Sequence, residues 1–80
     1  MKNTTLNKFA EKLTELMQEK NISQAQLANM LELTQQTISN YKLGVSEPDL
    51  DNLIRIAVIL DCNVNELLGF EEVAAEIQKR

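Results

Sequence analysis

Apolar positions recur at helical spacing along almost the whole chain. Leu6, Phe9, Ala10, Leu13, Leu16 and Met17 follow a 3.6-residue period and give a first helix one buried stripe. Glu11, Glu15 and Glu19 decorate its other side, partly balanced by Lys8 and Lys12. Residues 1–5 are polar and expected to fray, with Thr4 or Thr5 capping this helix and Asn21 ending it. Ser23 then stands three residues before Gln26, the spacing of a capping box, with Ile22 and Leu27 flanking it as a hydrophobic staple. Leu27, Ala28 and Leu31 form the stripe of this second helix. The device repeats at Thr34, with Leu33 and Ile38 as the staple, and the third helix has only Ile38 and Tyr41 as its apolar side. Gly44 falls where a left-handed residue would stop that helix.

After a loop over 45–48, Asp49 can cap a fourth helix whose core face is read as Leu50, Leu53, Ile54, Ala57 and Leu60. Val58 lies on the border, and Ile56 and Ile59 point elsewhere. With so many apolar sides, this helix is expected to be central. Asn63 and Glu66 have the spacing of a further capping box, for a short fifth helix that ends at Leu67, Leu68 and Gly69. The last stretch, FEEVAAEIQKR, leads with acids and trails with bases, in keeping with a helix dipole. About ten residues is too short to hold as an isolated helix, so it either frays or docks. The reading is all-α: one domain over 1–69, and a tail over 70–80 expected to be helical and to take part in dimerisation. No internal repeat, linker or low-complexity tract appears.

A helix with a stripe as thin as the third one buries little of itself, so most of its side chains face outward. Gln35, Gln36, Thr37, Ser39 and Asn40 carry amides and hydroxyls and no charge. An amide donates and accepts at once, which suits bidentate contact with an adenine edge in the DNA major groove. At about 100° per residue, Gln36 and Asn40 share a face and Gln35 lies at its N-terminal lip. That arrangement fits a helix entering a groove N-terminus first. The same residues also suit an ordinary solvated helix face, since Gln is a good helix former.

Gln24, Ala28, Ile38 and Tyr41 at helix-turn-helix spacing, then Gly44, then PDLDNLIRIAVILDCNVNELLG from Pro48 to Gly69, resemble the DNA-binding domains of lambdoid phage repressors, Cro proteins and their bacterial relatives, the XRE-like family. The TQQT segment, Thr34 to Thr37, is similar to one phage repressor subgroup. The resemblance covers roughly residues 6–69. It implies a five-helix lambda-repressor-like fold, and a dimer that binds a near-palindromic operator in double-stranded DNA, in the manner of a repressor. By the same resemblance Gln35 reads an adenine and Gln36 a neighbouring base. Asn40 stands where relatives often carry a longer polar side chain, so its base contact is shifted or lost. Gln24 would hold a backbone phosphate, aided by the helix N-terminal amides.

Ser23, Thr34 and Thr37 can also offer hydroxyls to phosphate, although capping is the task that spacing alone gives Ser23 and Thr34. Lys42 departs from the family, which commonly has a Glu there, paired in some repressors with an Arg at the position of Met17. Lys42 could contact phosphate or complement the C-terminal dipole of its own helix. Leu43 and Glu47 replace polar or basic groups of relatives. Glu32 occupies a turn position usually held by Gly, where a left-handed conformation would cost on the order of 1–2 kcal/mol. Tyr41 and Cys62 are expected in the core. The dimer candidates are Ile59, Phe70, Val73 and Ile77, with Ile56 open to the same reading; ordinary core is the alternative for all five, and the tail and fifth helix are the favoured dimer surface.

Eighty residues allow one domain with a modest core, and hydrophobic residues make up 44%, nearly all aliphatic. One Cys excludes an internal disulfide, and without His no Cys/His zinc site can be built. The absence of a signal peptide or membrane span leads to the expectation of a reducing cytoplasm, bacterial or phage-encoded. The net charge of −4 weighs against nucleic acid, since Lys and Arg supply phosphate affinity. Yet between Asn21 and Ser46 the only charges are Glu32 and Lys42, and the acids cluster elsewhere. The reading face is therefore neutral, and dimerisation would have to supplement its grip. A protein-binding module on the same fold, an antitoxin or an antagonist of another regulator, is the rival reading. Neither a cofactor, a small-molecule ligand, a membrane partner nor an enzymatic function is expected: there is no Gly-rich phosphate loop, and the lone Cys lacks a basic partner.

Overall fold

The computed structural model describes residues 4–79. Six helices form there: α1 (Thr4–Glu19), α2 (Gln24–Leu31), α3 (Gln35–Leu43), α4 (Leu50–Ile59), α5 (Val64–Leu68) and α6 (Phe70–Gln78). Four of them start at a side-chain cap. Ser23, Thr34, Asp49 and Asn63 accept from the backbone N–H groups of Gln26, Thr37, Asn52 and Glu66 at 3.1, 3.2, 2.8 and 2.7 Å. Each bond satisfies one of the donors that a helix start leaves without a partner. At Ser23 the box closes, the Ser23 N–H donating to Gln26 Oε1 at 2.8 Å. At Asn63 only the forward half forms. Thr4 and Thr5 lie within the first turn of α1 and do not precede it. The fraying expected of residues 1–3 falls outside the described residues.

The first four helices end alike. Asn21, Glu32, Gly44 and Asp61 adopt positive φ of 58°, 59°, 73° and 54°. In each case the next residue's N–H reaches back five positions, as Leu33 does to the Ala28 carbonyl at 2.9 Å. These are Schellman motifs, which close the otherwise unpaired carbonyls of a last turn.

The core joins Phe9, Leu13, Leu16 and Met17 of α1 with Leu27, Ala28 and Leu31 of α2, Ile38 and Tyr41 of α3, Ile56, Ala57 and Leu60 at α4, and Leu67 of α5. The rings of Phe9 and Tyr41 meet edge to face at 6.1 Å, fastening α3 to α1. The buried face of α4 differs from the one read from the sequence. Ile56 is completely buried, Leu53 and Ile59 pack against the core, and Leu50 and Ile54 face outward with Val58, at 77%, 55% and 73% exposure. Two sides of this helix are apolar, so periodicity alone could not choose between them; its packing against α2 and α5 does.

The tail docks. Gly69, at φ 61°, ends α5 and begins α6, and Val73 is buried where α6 meets α1 and α5. A side chain at Gly69 would run into the Lys8 methylenes. Among the described residues, no helix is long and apolar enough to cross a membrane.

Candidate nucleic-acid interface

Burial of Ile38 and Tyr41 fixes which side of α3 faces away from the core. Gln35 and Gln36 are exposed, and Thr37, Ser39 and Asn40 partly so. The Gln36 amide donates to Asn40 Oδ1 at 3.1 Å, so these two candidates form one linked pair one turn apart. Thr34 Oγ1 serves as the helix cap and lies 2.9 Å from Thr37 Oγ1, which draws both hydroxyls to the start of the helix.

Gln24 and Lys42 meet across the motif. Lys42, in the last turn of α3, donates from Nζ to Gln24 Oε1 at 3.2 Å, in a half-buried setting. Both line a shallow open groove with Ser23, Gln35, Gln18 and Met17, between the end of α1 and the starts of α2 and α3. Of the residues singled out for DNA, the fold therefore gathers Ser23, Gln24, Gln35 and Lys42 along this groove. Gln36 and Asn40 sit further along α3, and Thr34 and Thr37 flank its start. The backbone N–H groups of Gln24 and Ala25 point out of the first turn of α2 without a partner among the described residues.

The remaining candidates divide. Val73 is buried within its own chain and so offers no free surface to a second copy, while Ile59 is half-buried against the core. Ile56 is wholly internal. Phe70 and Ile77 are exposed, at 56% and 58%. Cys62 is half-buried rather than sealed in the core. Burial raises its thiol pKa, Glu66 and Asp61 add to the effect, and Lys20 opposes it. The Tyr41 phenol is likewise raised, chiefly by burial and then by the charge of Asp49. Among the described residues, no three His, Cys, Asp or Glu side chains converge as metal ligands.

Three features escaped the sequence reading. The outward apolar stripe of Leu50, Ile54 and Val58 is visible as a four-residue repeat, yet periodicity puts Leu50 and Ile54 on the core face and Val58 on its border. Arg55 braces α4 against α2, donating to the Met30 carbonyl and to Asn52 Oδ1, both at 3.3 Å. Only the Asn52–Arg55 spacing hinted at it. The Lys42–Gln24 bond spans 18 positions and leaves no local signal.

A family profile described as helix-turn-helix matches residues 13–67. An uncharacterised HTH-type transcriptional regulator of Bacillus subtilis, YqaE, is 37% identical over 63 residues, covering 79% of this chain and 54% of the relative. The HTH-type transcriptional activator BcrR of Enterococcus faecalis is 35% identical over 74 residues, 90% of this chain and 36% of the relative. The chain thus spans about half the length, or less, of these curated relatives. The crystal structure of the restriction-modification controller protein C.AhdI from Aeromonas hydrophila superposes with a TM-score of 0.71 at 32% identity, covering 78% of this chain and 94% of that one.

Proposed function

The chain belongs to the helix-turn-helix family and has the lambda-repressor-like fold, and from that premise we propose that it is a sequence-specific, double-stranded-DNA-binding transcriptional regulator. The observation that carries this reading is the outward amide face of α3, with Gln35 and Gln36 exposed and Asn40 beside them. In the proposed complex these side chains read base edges, while Ser23, Gln24, Thr34 and Thr37 approach the phosphates. A homodimer would set two such helices about 34–36 Å apart on a near-palindromic operator. Repression is the simplest outcome, because occupancy of a promoter-overlapping site needs no further contact.

The test is selection from random duplex DNA at low salt, with solution mass measured alongside. A recovered inverted repeat supports the reading. Gln35→Ala should then relax preference at one base pair per half-site, weakening the best site by about 1–3 kcal/mol. Unchanged preference removes Gln35 from the reading set. The second reading, a protein-binding module, draws on the acidic balance and the outward stripe of Leu50, Ile54 and Val58. No enrichment of any duplex, together with stable co-purification of a small basic protein, would favour it.

A further inference from the structure

We infer that Lys42 is a positioning residue for the phosphate contact at the start of α2: its ammonium captures the carbonyl oxygen of the Gln24 carboxamide and so turns the amide nitrogen outward, as a donor. The inference rests on the DNA-binding reading above.

The chemistry leaves no freedom in the assignment. A lysine ammonium has three N–H donors and no acceptor, so the atom that meets it at 3.2 Å must be Gln24 Oε1. An unrestrained glutamine on a surface presents either end of its amide. Here the oxygen is occupied, and the end left over is Nε2, with two donors.

The surroundings have the same polarity. The acceptor oxygens of Ser23 and Gln26 are taken up within the capping box, each by the other residue's backbone N–H. The Gln24 and Ala25 backbone N–H groups have no partner among the described residues. The start of α2 therefore offers N–H groups, on backbone and side chain alike, to a ligand whose oxygens only accept. A phosphate diester is such a ligand, and the positive end of the α2 dipole favours its charge. The cationic donor on Oε1 also polarises the amide and strengthens the bond that Nε2 can make on its far side. Because Lys42 comes from the last turn of α3, the reading helix itself sets the phosphate grip of α2.

A double-mutant cycle tests this on two duplexes, the one recovered by selection and a scrambled duplex of the same composition. Lys42→Met keeps the aliphatic stem and removes the donor. It should weaken binding to both duplexes by a similar factor, about five- to tenfold, with base preference unchanged. Gln24→Ala should do the same. The two changes together should be within about twofold of Gln24→Ala alone, because Lys42 acts through an amide already gone. Lys42→Arg, also a pure donor, should retain most of the affinity.

Losses that multiply would overturn the inference. So would a salt slope that falls by about 0.9 on Lys42→Met, the mark of a lysine that neutralises a phosphate itself. A readout without DNA guards against loss of fold: in the free protein the Gln24 side-chain amide resonances should move on Lys42→Met while the melting temperature stays within about 2 °C. Unmoved resonances overturn the clamp. A wild type that binds neither duplex at low salt, with the resonances still moving, overturns the DNA reading and the phosphate role with it.

Discussion

Glu32 offers a measurement of what a single backbone angle costs. It sits at φ 59°, ψ 39°, exposed, as the left-handed residue that closes α2. The conformation brings its Cβ against a neighbouring carbonyl, at a cost of roughly 1–2 kcal/mol that glycine would not incur. Against this stands the greater freedom of glycine in the unfolded chain, about 0.5–1 kcal/mol. The Glu32 charge also lies at the negative end of the α2 dipole, and its removal returns about 0.3 kcal/mol. Glu32→Gly should therefore stabilise the protein by about 0.5–1 kcal/mol, which for a domain of this size raises the melting temperature by about 2–8 °C.

Two controls divide the gain. Glu32→Ala removes the charge and keeps the Cβ, so it should give only the dipole share. Asn21→Gly, at φ 58°, should give less than Glu32→Gly, because asparagine tolerates this region better. Thermal unfolding followed by circular dichroism gives all three values. A melting temperature that is unchanged or lowered in Glu32→Gly would refute the reasoning and mean that the turn is built another way.

Gly69→Ala meets both a positive φ and the Lys8 side chain, and should lower stability by about 1–2 kcal/mol or more, read from denaturant midpoints; an unchanged midpoint would mean that the joint between α5 and α6 is loose. The raised pKa of Tyr41 carries a pH signature. The folded protein holds this proton more tightly than the unfolded chain does, so the stability linked to it is complete below the unfolded value of 10.0 and is lost as pH climbs through the higher folded value. Tyr41→Phe should lack this part of the alkaline loss, and denaturation curves of the two proteins taken up to about pH 11 would show the gap narrowing. Ile77→Asp, on the exposed side of α6, should weaken self-association at least about tenfold with helicity intact, measured by sedimentation; an unaltered dimer would place the contact elsewhere, with the outward stripe of α4 next to be tried.

What the sequence made legible was local. Caps at Ser23, Thr34, Asp49 and Asn63 depend on a residue three places away, and all four form. The left-handed Glu32 was legible through the resemblance, which puts Gly at that turn position, and the Schellman ending that holds it is itself local, involving one turn and two following residues. Helix α4 was misread because both of its candidate faces satisfy the same period, and only its neighbours decide which one is covered. Val73 was offered as a dimer contact because a ten-residue tail gave no sign of where it would dock. Its place against α1 depends on Gly69 lying over Lys8, a contact between residues far apart in the chain. At the candidate interface, the outward amides followed from the thin apolar stripe of α3. Their hydrogen-bond partners did not: Gln36–Asn40 is one of several options for such side chains, and Lys42–Gln24 depends on how two helices cross.

The single residue between α5 and α6 has a mechanical consequence. Gly69 is at once the last turn of one helix and the first of the next, so two torsions are all that separates them. A hinge that short, wedged over Lys8, transmits force and does not absorb it. A molecule gripping Phe70 or Ile77 would tug at once on Leu67, at the centre of the protein, and its binding would register as a change in resistance to global unfolding, with little local tightening of a loose end.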